Sequence, residues 1–232
     1  MKQLALDIGL ASGPTLARFF AGPNEAALQH LRLWAGEGSQ PDTRSPVPTY
    51  LWGEAGSGKT HLLKAVRQAL SDQGASVGWL DASVASAAEF DERWAAVVLD
   101  DVHLYSTAQQ AMAFNWFVNA ISPANGAPRW VLAAGNLPPA DLPLRDDLRS
   151  RLGWGHVFQL QLLGEAERRA VLRQEAEARG VALGDEVMDY MLRRFSRDPG
   201  SLMQLLDQLD AYALRTQRAI TIPLLKAMLE SE

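Results

Sequence analysis

An α/β domain built on a parallel sheet, followed by a small all-α domain, is the fold this sequence predicts. Three observations carry it. From Thr49 to Leu162, short apolar runs alternate with helix-length stretches, as in a parallel sheet covered on both faces. The first run, Tyr50-Leu51-Trp52, leads into a glycine-rich turn and then a helix. After Leu163 strand-like runs cease and helical periodicity alone remains.

Taken in order, Met1 to about Leu10 reads as an extended tail ahead of Gly13-Pro14. Glu25–Ala35 is expected to be an amphipathic helix, capped by Asn24, with Leu28, Leu31 and Leu33 mostly on one side. Residues 36–48 mix glycine, proline and polar residues and read as a loop. Strands are expected at Thr49–Trp52, Val77–Asp81, Ala95–Leu99, Trp130–Ala134 and His156–Leu162. Helices are expected at Lys59–Gln73, Ser83–Trp94 (alanine-rich), Ala108–Ala120 and Leu144–Leu152. Gly164–Arg179, Asp185–Phe195, Pro199–Thr216 and Pro223–Leu229 complete the chain as helices, punctuated by Gly180, Gly184, Pro199 and Pro223. The division is a tail over 1–14, an α/β domain over 15–163 and a helical lid over 164–232.

The chemistry centres on Gly53-Glu54-Ala55-Gly56-Ser57-Gly58-Lys59-Thr60, which fits the phosphate-loop pattern G-x-x-x-x-G-K-[ST]. Glycines let backbone N–H groups close around phosphate oxygens, and the helix opening at Lys59-Thr60-His61 adds a favourable dipole. Lys59 would reach the β- and γ-phosphates, and the Thr60 hydroxyl is placed for Mg²⁺. A bound ADP or ATP with Mg²⁺ follows from this loop. Asp100-Asp101 closes an apolar strand about forty residues on. Asp100 would complete the Mg²⁺ site, and Asp101 would polarise an attacking water. Asn136, after the strand Trp130–Ala134, suits either a hydrogen bond to the γ-phosphate or that water, or an ordinary turn before Pro138-Pro139. Arg145, Arg149 and Arg151 cluster beside Asp146 and Asp147. They suit either surface ion pairs or an arginine presented to a neighbour's γ-phosphate.

Composition narrows the remaining classes. The chain has 232 residues, 47% of them hydrophobic, and a net charge of −5, which argues against a general nucleic-acid coat. No apolar run approaches the ~18 residues of a membrane span. The sequence has no cysteine, so disulfides and thiolate metal sites are excluded, which fits a cytoplasmic location. His30, His61, His103 and His156 show no ligand spacing.

Together, Tyr50–Leu63, Val98-Leu99-Asp100-Asp101-Val102, Asn136-Leu137-Pro138-Pro139 and Ser150-Arg151-Leu152-Gly153-Trp154-Gly155 resemble the AAA+ nucleotide-binding domain of the replication initiator DnaA. Phe19-Phe20-Ala21-Gly22-Pro23-Asn24 is similar to that family's segment around adenine, with Phe20 at the base. The short Ala82–Trp94 stretch, the end at Glu232 and a terminal Gln3-Leu4-Ala5-Leu6 make the chain look more like Hda, the DnaA-homologous regulators. That resemblance implies docking on the DNA polymerase III sliding clamp (β subunit), with Gln3 in a polar subsite and Leu4 and Leu6 in an apolar groove. It further implies that Arg151 acts as a finger in trans on DnaA-bound ATP, so that re-initiation is prevented. It implies no sequence-specific DNA binding. A second copy of the peptide pattern, Gln159-Leu160-Gln161-Leu162, falls in an expected core strand. The family's lid arginine would fall on Gly200, with Arg197 one turn away as a substitute, which leaves intrinsic ATP hydrolysis open. Homo-oligomers also stay open. So do a helicase-loader-type ATPase, a small-substrate phosphotransferase and a truncated initiator that binds origin DNA.

Overall fold

A computed structural model describes residues 14–36, 47–84, 89–195 and 199–230. Gln3, Leu4, Leu6 and Arg197 lie outside the described residues. The strands are β1 (Thr49–Trp52), β2 (Ser76–Leu80), β3 (Trp94–Leu99), β4 (Trp130–Gly135) and β5 (His156–Gln159). They form one sheet in the order β2-β3-β4-β1-β5, and every pairing is parallel. Ala96–Leu99 and Trp130–Ala134 are buried without interruption, because helices cover both faces of the central strands. One face packs under α1 (Glu25–Ala35) and α2 (Lys59–Asp72), the other under α3 (Thr107–Ile121) and α4 (Asp146–Leu152). Since β1 lies between β4 and β5, and β3 beside β4, the loops leaving β1, β4 and β3 open side by side at one sheet edge. That edge is where α/β folds bind ligands.

On α1 the buried face is Ala27, Leu28, Leu31, Trp34 and Ala35, and Leu33 is 56% exposed. Leu28 and Leu31 continue at 34 and 35 in helical spacing, whereas 33 turns away from them. Trp34 stacks on Trp130 with ring centroids 4.2 Å apart. Asn24 precedes α1 but makes no capping bond. Its amide instead donates to Gln161 O at 3.0 Å and accepts from Gln161 N at 2.8 Å. Clipping the chain beyond β5 uses both ends of the amide, whereas a cap would use one.

The expected helix Ser83–Trp94 does not form in its described parts. Asp81 Oδ1 accepts the Ser83 N–H at 2.8 Å, and Gln109 Nε2 donates to Ala82 O at 3.1 Å and Val84 O at 3.0 Å. Those carbonyls are thereby bound by a side chain from the capping box of α3. Trp94 belongs to β3, and its ring lies over Gly78, where a Cβ would fall 2.4 Å from it. β5 is shorter than expected and is an edge strand. Of the second Q-L-x-L copy only Leu160 is buried, yet its N–H donates to Trp52 O at 2.6 Å. A segment so engaged is not a free peptide ligand.

At the opposite sheet edge, a Cβ on Gly155 would sit 1.9 Å from Pro48 O. That same oxygen accepts the His156 N–H at 2.8 Å. Gly155→Ala is expected to cost about 1–3 kcal/mol in a urea unfolding titration, because backbone rather than a flexible side chain must move.

Beyond the sheet, α5 (Glu165–Ala178), α6 (Asp185–Arg194), α7 (Pro199–Thr216) and α8 (Ile222–Glu230) share a core of their own. Leu172, Met188, Met191, Leu206, Leu209 and Leu225 are fully buried there.

Candidate nucleotide-binding site

The turn from β1 to α2 has the shape its glycines dictate. Gly56 and Gly58 take left-handed φ of 83° and 92°, where other residues are strained. A Cβ at Gly53 would lie 2.2 Å from Leu160 O. Lys59 is 6% exposed, and its Nζ donates to Gly53 O and Glu54 O, each at 2.8 Å. Burial lowers its pKa, while the charges of Asp101 and Asp100 oppose that shift. Ser57 Oγ is buried in the same turn with no hydrogen-bond partner. An orphaned hydroxyl inside a glycine cradle fits a phosphate oxygen, and the lysine is held over the same space.

Asp100 and Asp101 sit where expected, at the end of β3. Asp100 is 3% exposed and accepts the Asp101 N–H at 3.0 Å. Burial pushes its carboxyl up to about 6, a shift opposed by a hydrogen bond from the Thr60 side chain and reinforced by the Asp101 charge. Thr60 opens α2 and Asp100 ends β3, and the two would hold Mg²⁺ from adjoining elements. Among the described residues no cluster of three or more His, Cys, Asp or Glu could hold a metal alone. Asp101 adopts a left-handed φ of 50°, a strained state for a non-glycine residue. Asn136 is exposed at the end of β4, between β1 and β3.

The raised Asp100 pKa sets a pH dependence. Below its unfolded value near 3.8 both states hold the proton. Between about 4 and 6 the folded state keeps a proton that the unfolded chain has released, so stability falls as pH rises through that window. With two units at 1.36 kcal/mol each, Asp100→Asn is expected to stabilise the ligand-free protein by about 3 kcal/mol at pH 7.5 and by little at pH 3.5. Denaturant titrations at both values check this. The same variant should weaken Mg²⁺-dependent nucleotide affinity.

Three neighbours have no individual role in the sequence pattern. The Tyr50 hydroxyl rises from β1 to donate to Leu137 O at 2.8 Å, and it fills the space where Gly135 lacks a Cβ. It thereby fixes the turn that carries Asn136. His103, two residues past Asp101, has a buried Nδ1 without a partner and feels the charges of Asp101 and Lys59. Phe19 lies over Gly58, so close that a Cβ there would meet its ring at 2.6 Å, and its centroid is 5.7 Å from that of His61. Phe20, the expected base contact, lines a cavity of ≈ 220 Å³ with Phe19, Ala21 and the lid residues Val171, Gln174 and Glu175. The Glu175 charge acts on His61, which joins this cavity to the first turn of α2.

The arginine cluster separates into two kinds. Arg145 pairs with Asp147 and Arg149 with Asp146, each at 2.6 Å. Among the described residues Arg151 has no such carboxylate: its Nη1 donates to Asp147 O at 2.9 Å and its guanidinium lies 4.6 Å from the centre of the Phe114 ring. It belongs to α4, on the sheet face opposite α2, whose first turn carries the phosphate loop.

Residues 165–229 match the family described as Hda, lid domain. An uncharacterized protein of Haemophilus influenzae is 33% identical over 237 residues, spanning 98% of this chain and 98% of that protein. The chain is a Hda/DnaA-like AAA+ protein. Domain III of the Thermotoga maritima initiation protein DnaA superposes with a TM-score of 0.72 at 19% identity, over 99% of this chain and 98% of that one. AMPPCP-bound DnaA from Aquifex aeolicus gives 0.62 at 21% identity, over 85% of this chain and 65% of that one. At these identities the two structures speak for the fold. In this Hda/DnaA-like chain the segment before α1 and the helical lid meet at this cavity, and Phe19 on its wall lies over Gly58 of the phosphate loop. No helix among the described residues is long and apolar enough to cross a membrane.

Proposed function

We propose that this protein is a regulator of replication initiation. With ADP or ATP and Mg²⁺ bound, it docks on the DNA-loaded sliding clamp and promotes hydrolysis of DnaA-bound ATP through Arg151. The observation that carries this reading is that the Arg151 guanidinium forms no ion pair among the described residues and lies on the sheet face opposite α2, whose first turn carries the phosphate loop. A cation so held is available to a neighbouring subunit. At the neighbour's site water attacks the γ-phosphorus as the bond to the β–γ bridging oxygen breaks. Arg151 offsets the charge that spreads over the γ-oxygens and the leaving oxygen. Phe114 beneath it and Asp147 O beside it fix the guanidinium without neutralising it.

The chain's own nucleotide serves a structural part in this reading. When bound, its phosphates and Mg²⁺ supply negative and positive charge to the loop and to Asp100. Lys59 Nζ and the Ser57 hydroxyl would each donate to a phosphate oxygen, and the base would bridge the segment before α1 and the lid. Both the family resemblance of the lid and the fold support a DnaA-related role.

Clamp docking is assigned to Gln3, Leu4 and Leu6. Gln3→Ala with Leu4→Ala is expected to abolish binding to immobilised clamp while leaving ADP affinity and the thermal midpoint unchanged. Retained clamp binding in the double variant would move that contact elsewhere in the chain.

A further inference from the structure

One charged side chain of the lid is buried without a counter-charge. Arg168, near the start of α5, is 9% exposed, and its Nε and Nη1 are sealed from solvent with no hydrogen-bond partner. The other arginines of α5 are paired, Arg169 with Asp185 and Asp189, and Arg173 with Asp185 at 2.7 Å. Two acids of the same helix are engaged elsewhere. Glu167 Oε2 accepts the Gly164 N–H at 2.6 Å, and Glu175 Oε2 accepts from Arg179 Nη1 at 2.7 Å. Helical spacing puts Arg168 in line with Glu175, between Val171 and Leu172. Val171 and Glu175 form the lid wall of the base cavity, whereas Leu172 belongs to the lid core. The same turn of α5 rests on the segment before α1, where a Cβ on Gly22 would lie 3.0 Å from Glu167 Oε1. Arg168 is therefore buried where the lid meets that segment.

A charge taken out of water without a partner is costly, and an apolar side chain of similar size in its place is commonly stabilising. Swinging α5 away from Phe19, Phe20 and Gly22 returns the guanidinium to water. It also removes one wall of the cavity and releases what the cavity holds. We propose that Arg168 is a built-in opener of the lid, so that bound nucleotide leaves faster than the apolar contacts of α5 alone would allow. The apparent affinity is the intrinsic affinity scaled by the closed fraction, and Arg168 lowers that fraction. The inference rests on the nucleotide-binding reading of this site and adds a control on how long the nucleotide stays.

Arg168→Met removes the charge and keeps an unbranched side chain. Two readouts on the full chain test it. One is the thermal midpoint without ligand. The other is release of ADP carrying a fluorescent N-methylanthraniloyl group, chased with excess ADP in Mg²⁺. The variant is expected to melt about 3–6 °C higher than wild type. It should also release the labelled ADP about tenfold more slowly, with a correspondingly tighter affinity. Arg173→Met, which breaks a half-exposed pair on the same helix, should change neither. Equal effects from Arg173→Met would mean that lid charge in general acts, and would overturn the inference. A lower midpoint in Arg168→Met overturns it too, because the guanidinium would then be stabilising where it lies. Weaker ADP binding by that variant makes Arg168 a contact of the nucleotide and not an opener. A higher midpoint with unchanged release puts the buried charge inside the lid, away from the junction, and also contradicts the proposal. All of these results leave nucleotide binding standing. A wild-type protein that binds no ADP overturns the reading of the site itself, and this inference with it.

Discussion

Lys59→Ala is expected to abolish nucleotide binding while the protein stays folded. The Lys59 Nζ is the cation held over the turn, 2.8 Å from two of its carbonyls, and Asp100 and Asp101 both stabilise its charge. Without it, phosphates entering the cradle would face those two carboxylates and the loop carbonyls with only backbone N–H groups in support. A charge-assisted phosphate contact is among the stronger hydrogen bonds, and here it is largely desolvated. Affinity should fall by at least about a hundredfold, on the scale of a buried charged partner lost from a binding site. Lys59 makes no contact that α2 needs, so the circular dichroism spectrum should not change. Calorimetry with ADP and Mg²⁺ reads the effect directly. Near-normal affinity in the variant would remove the basis of the nucleotide-site assignment.

Arg151→Ala is expected to spare nucleotide binding by this chain and to cost most of the stimulated hydrolysis of DnaA-bound ATP. Fingers supplied in trans are worth on the order of 10³–10⁵ in rate in GTPases, so a fraction of that is measurable. The local structure provides its control. Arg149 is bound to Asp146 at 2.6 Å on the protein surface, and an exposed pair of this kind contributes little. Arg149→Ala should therefore behave as wild type. Loss with Arg149→Ala and none with Arg151→Ala would mean that the finger is the other arginine. Changed ADP affinity in Arg151→Ala would mean that this arginine serves its own site after all.

Much of this arrangement is local in sequence and therefore legible there. The phosphate loop is eight consecutive residues whose shape follows from its glycines. Asp100 and Asp101 are marked by standing at the end of an apolar run. The lid helices follow from periodicity and from the glycines and prolines between them. Contacts between distant segments leave no such local mark. Val171 and Glu175 reach the base cavity only because α5 folds back against Phe19 and Phe20, about 150 residues earlier. Asn24 reads as a cap because nothing local reveals that Gln161 will lie beside its amide. Ser83–Trp94 reads as helix because alanines favour it, but Asp81 and Gln109 bind the backbone at its start. The three arginines of 145–151 are alike as letters. Which of them lacks an acid depends on the turn of a seven-residue helix against Phe114.

The central claim is that this protein drives hydrolysis of ATP held by DnaA. The direct measurement follows radiolabelled ATP bound to DnaA over time, with clamp-loaded DNA and with or without the wild-type protein. Conversion to DnaA-bound ADP should be accelerated only when protein, clamp and DNA are all present. If DnaA-bound ATP turns over at the same rate with and without the protein under those conditions, the account is contradicted.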